Sequence, residues 1–181
     1  YKRQIHERFP SAPLFAVGYS LGANMLLKWL GEQTGGVPLS AAIAVSVPFD
    51  LDGCAARLEV GFSRIYQYRL LGSMKSTVRR KAHLLHKNID IARLLKTKTF
   101  RTFDDLGTAP VHGFQNAGDY YNQTSCQPFL RTISTPVLIL QATDDPLMRP
   151  ESIPDAEKLG PGVTLEVSSH GGHMGFVGGL L

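Results

Sequence analysis

Cysteine is scarce in this chain of 181 residues. There are two, Cys54 and Cys126, too few for a disulfide framework and too far apart for a zinc or thiol-redox pattern. Long apolar runs are absent as well. Nothing approaches the roughly 18–20 residues needed to cross a bilayer, and the opening YKRQIHERFP has neither the apolar stretch nor the cleavage site of a secretory signal. Together these absences make a reducing compartment, the cytoplasm, the expected location. No methionine starts the chain, and its charged opening reads as the end of an amphipathic helix. The sequence is therefore expected to be the C-terminal part of a longer one, with any membrane anchor lying ahead of Tyr1. Repeats and low-complexity tracts are also lacking.

What is present is an ordinary globular composition, 43% hydrophobic and 19% charged, on a chain long enough for one sizeable core. The formal charge of +4 conceals an asymmetry. Between Arg64 and Arg101 lie 11 of the 19 Lys and Arg residues, with Asp90 as the only acid. Solvated helix faces account for such a block most simply, and it also marks contact with an anionic membrane surface, nucleic acid or an acidic ligand. Of these, peripheral contact with an anionic membrane is retained and nucleic acid is not expected.

Leu14–Val17, Ala41–Val47, Val137–Leu140 and Val163–Val167 are short apolar runs rich in branched residues, the pattern of strands buried on both faces of a parallel sheet. Between them, Leu21–Glu32 is apolar at Leu21, Met25, Leu26, Trp29 and Leu30 and predicts a helix packed on that sheet, closed by the glycines and Pro38 that follow. Pro154–Leu159 predicts a short helix. The alternation defines an α/β layer fold. Residues 48–130 break the rhythm: they are basic, carry STVRRKAHLLHKNIDIARLLK at helical spacing, and then pass through FQNAGDYYNQTSC. They predict a helical cap inserted into the domain, since long insertions of this kind carry function.

Gly18-Tyr19-Ser20-Leu21-Gly22 has the form G-x-S-x-G between a predicted strand and a predicted helix. So sharp a turn strains the serine backbone, and side chains two positions before and after it are expected to collide, which the glycines avoid. The Leu21 amide, at a helix N-terminus, is then aimed at a developing oxyanion. A serine nucleophile needs a histidine base, and the histidine needs an acid. The chain holds them in the order Ser, Asp, His. After PVLILQA come Asp144 and Asp145, of which Asp145 fits the acid and Asp144 the turn. After the last strand comes SSHGGHMGF, where Gly171 and Gly172 leave His173 on a flexible, close-approach loop and His170 is its rival. The H-x-x-H spacing lacks the i, i+4 geometry and the glutamate of a metalloprotease site. His6, His83, His86 and His112 have no partner motif and are expected at the surface or in packing.

GYSLGAN, DYYNQTSC, TPVLILQATDDPLM and HGGHMGF together resemble the YheT-like branch of the α/β-hydrolase superfamily, which includes the abhydrolase domain proteins of types one to three. The resemblance runs over almost the whole chain. It implies an esterase or lipase acting on small-molecule or lipid acyl esters, with nucleophile, acid and base on Ser20, Asp145 and His173, and without metal or organic cofactor. It also implies that residues 1–181 are a partial hydrolase domain, because about a dozen residues precede the first strand where such hydrolases have several strands and a second oxyanion loop. Alone, such a chain is expected to expose an apolar sheet edge and fold poorly. Two other readings use the same sequence: a catalytically silent hydrolase fold that binds, and an anionic-surface binder that works through its basic cap.

Overall fold

The computed structural model describes residues 2–33, 36–85 and 89–176. His86 and the His6 side chain lie outside that description. In chain order the first elements are α1 (Lys2–Arg8), β1 (Phe15–Tyr19), α2 (Leu21–Glu32) and β2 (Ala41–Val45). Then come α3 (Leu51–Leu58), α4 (Ser63–Lys81), α5 (Ile91–Lys96), α6 (Phe100–Phe103), α7 (Ala109–His112) and α8 (Ala117–Thr124), and finally β3 (Val137–Ala142) and β4 (Val163–Ser168). The chain forms two compact units: one of residues 1–49, 125–145 and 149–181, the other of residues 50–124 and 146–148.

The first unit is built on a four-stranded sheet in the order β1-β2-β3-β4, every neighbouring pair parallel. Register explains its composition. Ala16, Ala42, Val137 and Val163 stand in one row, and Gly18, Ala44, Ile139 and Leu165 in another two residues on, all on one face. Small residues on β1 and β2 let α2 settle close, and its Ala23, Leu27 and Leu30 join Ala42, Ala44, Val137 and Ile139 in the core with Phe49, Cys126, Leu130 and Ile133. Gly31 completes the fit, since a Cβ there would come within 2.2 Å of the Phe129 carbonyl oxygen. The helix is less apolar all round than its sequence predicts: Leu21 and Met25 are exposed, and Asn24 is buried. The sheet is not buried on both faces as its apolar runs predict: on the other face Val17, Tyr19 and Ile43 are exposed. The predicted helix at Pro154–Leu159 is a single 3-10 turn, Ala156–Lys158, flanked by extended backbone at Asp155 and Leu159. It is too short to repay helix nucleation.

The second unit is helical and enters the chain between β2 and β3. Leu71, Ile89, Leu94 and Phe103 form one buried cluster, and Leu51, Ala55, Ala117 and Tyr121 another. A π-helical turn at Asp104–Thr108 places Asp104 inside, where its carboxylate accepts hydrogen bonds from Tyr121 Oη at 2.7 Å and Thr108 Oγ1 at 2.5 Å. Burial pushes the Asp104 carboxyl above its ordinary value, and the two hydrogen bonds offset that in part. Among the described residues no helix is long and apolar enough to cross a membrane.

Candidate active site

Ser20 stands where β1 ends and α2 begins, with φ 50 and ψ −124, a backbone region that few residues with a side chain occupy. The turn is held from both sides. The Ser20 N–H donates to the Val45 carbonyl at 2.9 Å, and the Ser20 carbonyl accepts from Ala23 and Asn24, at 2.9 and 3.1 Å. A Cβ on Gly18 would lie 2.7 Å from Ala23 Cα and 2.8 Å from the Gly22 carbonyl oxygen, both backbone atoms, so glycine is required there. The expected collision at Gly22 does not occur, because a Cβ at that position meets nothing within 4 Å. Leu21 opens a 12-residue helix, and an N–H in the first helical turn has no acceptor within the helix.

Ser20, Asp145 and His173 come together within the first unit. The His173 Nδ1 lies 2.8 Å from Asp145 Oδ2, and its Nε2 lies 2.9 Å from Ser20 Oγ. A carboxylate only accepts, so in the tautomer with its proton on Nδ1 the ring donates to Asp145 and Nε2 accepts from the serine hydroxyl. Asp145 is buried, and the His173 side chain retains a little exposure.

The neighbouring residues divide the work differently. Asp144 is exposed, and its Oδ1 accepts from the Gly172 N–H at 2.8 Å. Gly172 takes φ +56, and at Gly171 a Cβ would press on the Phe176 ring at 2.8 Å and on Ala142 Cβ at 3.0 Å. The Gly171 carbonyl also accepts from the amides of Gly175 and Phe176. The loop that carries His173 is thus fastened at several points rather than loose. His170 is exposed and bonds Ser169 Oγ through Nδ1, and His83 and His112 are exposed. Among the described residues no three His, Cys, Asp or Glu side chains group as a metal site.

Three supporting positions escaped the sequence reading. Ser46, directly after β2, is fully buried with φ 53, and its Oγ has no partner among the described residues. The Gln141 Oε1 accepts from the Val47 N–H and the Asn24 Oδ1 from the Cys126 N–H, each at 2.8 Å. The last two had a legible signal, a polar residue within an apolar strand or on an apolar helix face. Ser46 had none, because strain leaves no mark on residue type.

Among known proteins, a family described as alpha/beta hydrolase fold matches residues 1–180. The Escherichia coli (strain K12) protein YheT, an esterase by name, is 44% identical over 183 residues, 100% of this chain and 54% of its own. Human phospholipase ABHD3 is 35% identical over 178 residues, 97% of this chain and 44% of its own. The chain therefore spans about half the length of these relatives. Among solved structures, the Pyrococcus furiosus esterase Pf2001 superposes with a TM-score of 0.51 at 18% identity, over 94% of this chain and 50% of that one, a likeness of fold. With a match running from end to end on a sheet whose strands are all parallel, this chain belongs to the α/β-hydrolase family, and YheT and ABHD3 are among its relatives.

Proposed function

We propose that this chain carries the reaction centre of a carboxylic ester hydrolase acting on small-molecule or lipid acyl esters. One observation carries the reading: the hydrogen-bonded chain Asp145–His173–Ser20, closed at 2.8 and 2.9 Å by residues far apart in sequence. The esterase and phospholipase names of the relatives support it.

In this mechanism His173 Nε2 removes the Ser20 hydroxyl proton as Oγ attacks the ester carbonyl carbon. Asp145 holds the imidazole in the required tautomer and stabilises the imidazolium that forms. Charge developing on the carbonyl oxygen is met by the Leu21 N–H at the start of α2, a donor with no helical partner to give up. His173 then returns its proton to the leaving alkoxide, so the alcohol departs and the acyl group stays on Ser20. Water, deprotonated by the same imidazole, cleaves the acyl-enzyme and restores the serine.

Steady-state hydrolysis of p-nitrophenyl acyl esters by the full-length protein tests this. Ser20→Ala and His173→Ala should each lower kcat by at least about a thousandfold, and the double variant should fall no further, because the two groups act as a unit. A folded single variant that keeps most of its turnover would refute the assignment.

A further inference from the structure

We propose that α4 and the turn before it form a docking surface for an anionic phospholipid bilayer. The surface lies wholly within the second unit and does not depend on the ester chemistry.

The helix has two unlike sides. Ser63, Gln67 and Leu71 are buried, and Met74 and Val78 pack on the cluster around Leu71 and Leu94, so this side serves the core of the unit. At about 100° per residue, Phe62, Ile65, Tyr66 and Arg69 fall together on the opposite side. Phe62 is 69% exposed and Tyr68, further round the helix, 82%, while Val60 and Ile65 are more than half exposed. Phe62 and Tyr66 meet edge to face with centroids 6.0 Å apart, which makes a broad aromatic wedge. Scattered apolar residues on a surface need no explanation, but a cluster over the first two turns of one helix does.

Charge selects the occupant. From Val60 to Ile89 the sequence contains no Asp or Glu, while α4 exposes Arg64, Arg69, Arg79, Arg80 and Lys81; Lys75 donates instead to the Thr97 carbonyl. Among the described residues none of these cations pairs with a carboxylate. A second copy of the same face would bring like charges together. A bilayer with anionic headgroups fits both halves: apolar and aromatic side chains enter the headgroup boundary, and Arg and Lys stay at the phosphates. At 19 residues the helix is about 28 Å long at 1.5 Å per residue, so it can lie flat with the wedge at its first turns and Arg69 and Arg80 in line with Phe62 along the same side. Aliphatic Val60 and Ile65 have no role against nucleic acid, whose affinity comes from phosphate contacts and base stacking.

Vesicle flotation of the full-length protein is the test, on phosphatidylcholine alone and on phosphatidylcholine with phosphatidylserine in equal parts. The protein should float with the anionic vesicles and much less with the neutral ones, and added salt should release it. Changing Arg69 and Arg80 together to Gln should weaken binding roughly thirtyfold, at about 1 kcal/mol per basic residue near the surface and tenfold per 1.4 kcal/mol. Phe62→Ser with Ile65→Ser should weaken it at least tenfold. Both variants should keep the wild-type melting temperature and the wild-type rate on a water-soluble ester, which separates lost docking from lost folding or lost chemistry. Equal binding to neutral vesicles, binding unmoved by either variant, or a dimer or nucleic-acid complex that the variants dissolve instead would overturn the proposal.

Discussion

Ser20 keeps a positive φ with a full side chain, and the residues around it set the terms on which that strain is tolerated. At Gly18 an added methyl runs into the backbone of Ala23 and Gly22, and neither can yield without opening the turn. At Gly22 it meets open space. Gly18→Ala is therefore expected to destabilise the first unit by about 1–3 kcal/mol, the usual cost of overpacking. Gly22→Ala is expected to be neutral or to stabilise by up to about 1 kcal/mol through helix propensity. Melting both variants beside the wild type checks the contrast, and equal effects would mean that the collision at Gly18 is not what demands glycine. The motif named both glycines by the same rule, yet only one is there for space. Its sequence form records that a turn is sharp without saying which side of it is crowded.

Within the elements of the second unit, Asp104 is the group to watch. It sits where a π-helical turn carries it inside, and burial raises its carboxyl above the ordinary 3.8, with Thr108 and Tyr121 lowering it again in part. A raised folded-state value means that the protonated form is favoured on folding. This contribution is complete below the ordinary value and is lost as the pH climbs through the raised one. Asp104→Asn keeps the size of the side chain and removes its ionisation. Amide exchange in α8 should then open up with rising pH in the wild type and stay flatter in the variant. An identical pH dependence in both would show that Asp104 does not ionise in that range. Tyr121→Phe, which strips a hydrogen bond from a buried carboxylate, should cost about 1.5–3 kcal/mol by the same exchange measurement. None of this could be read from DDLGT in the sequence, because a π turn has no residue signature. The start of α4 was hidden for a related reason. Phe62 caps it without a side-chain hydrogen bond, and its first turns expose aromatic residues, so periodicity became clear only toward its C-terminal half.

Across the whole molecule, legibility follows the range over which each signal acts. Apolar runs of four to seven residues announce strands because a parallel sheet with apolar side chains on both faces demands them locally. The runs near residues 14, 41, 137 and 163 led to four parallel strands that differ from expectation by about two residues at their ends. The meeting of Ser20 with His173 spans 153 residues, and no periodicity encodes it. It was legible only through the chain order of Ser, Asp and His and through the glycines about them. Neither signal reaches exposure, so the apolar side of β1 at Val17 and Tyr19 and the wedge on α4 emerge only in the structure. The charge asymmetry was plain in the sequence, and what it lacked was the helix whose register brings Arg69 to the side of Phe62 and Ile65.

Fluorophosphonate labelling of the full-length protein, read by intact mass, checks the proposed role of Ser20 as an activated nucleophile. One adduct is expected on the wild type, none on Ser20→Ala, and strongly slowed labelling on His173→Ala. A folded wild type that takes no label, or a Ser20→Ala variant that takes it equally well, would show that Ser20 is not the nucleophile.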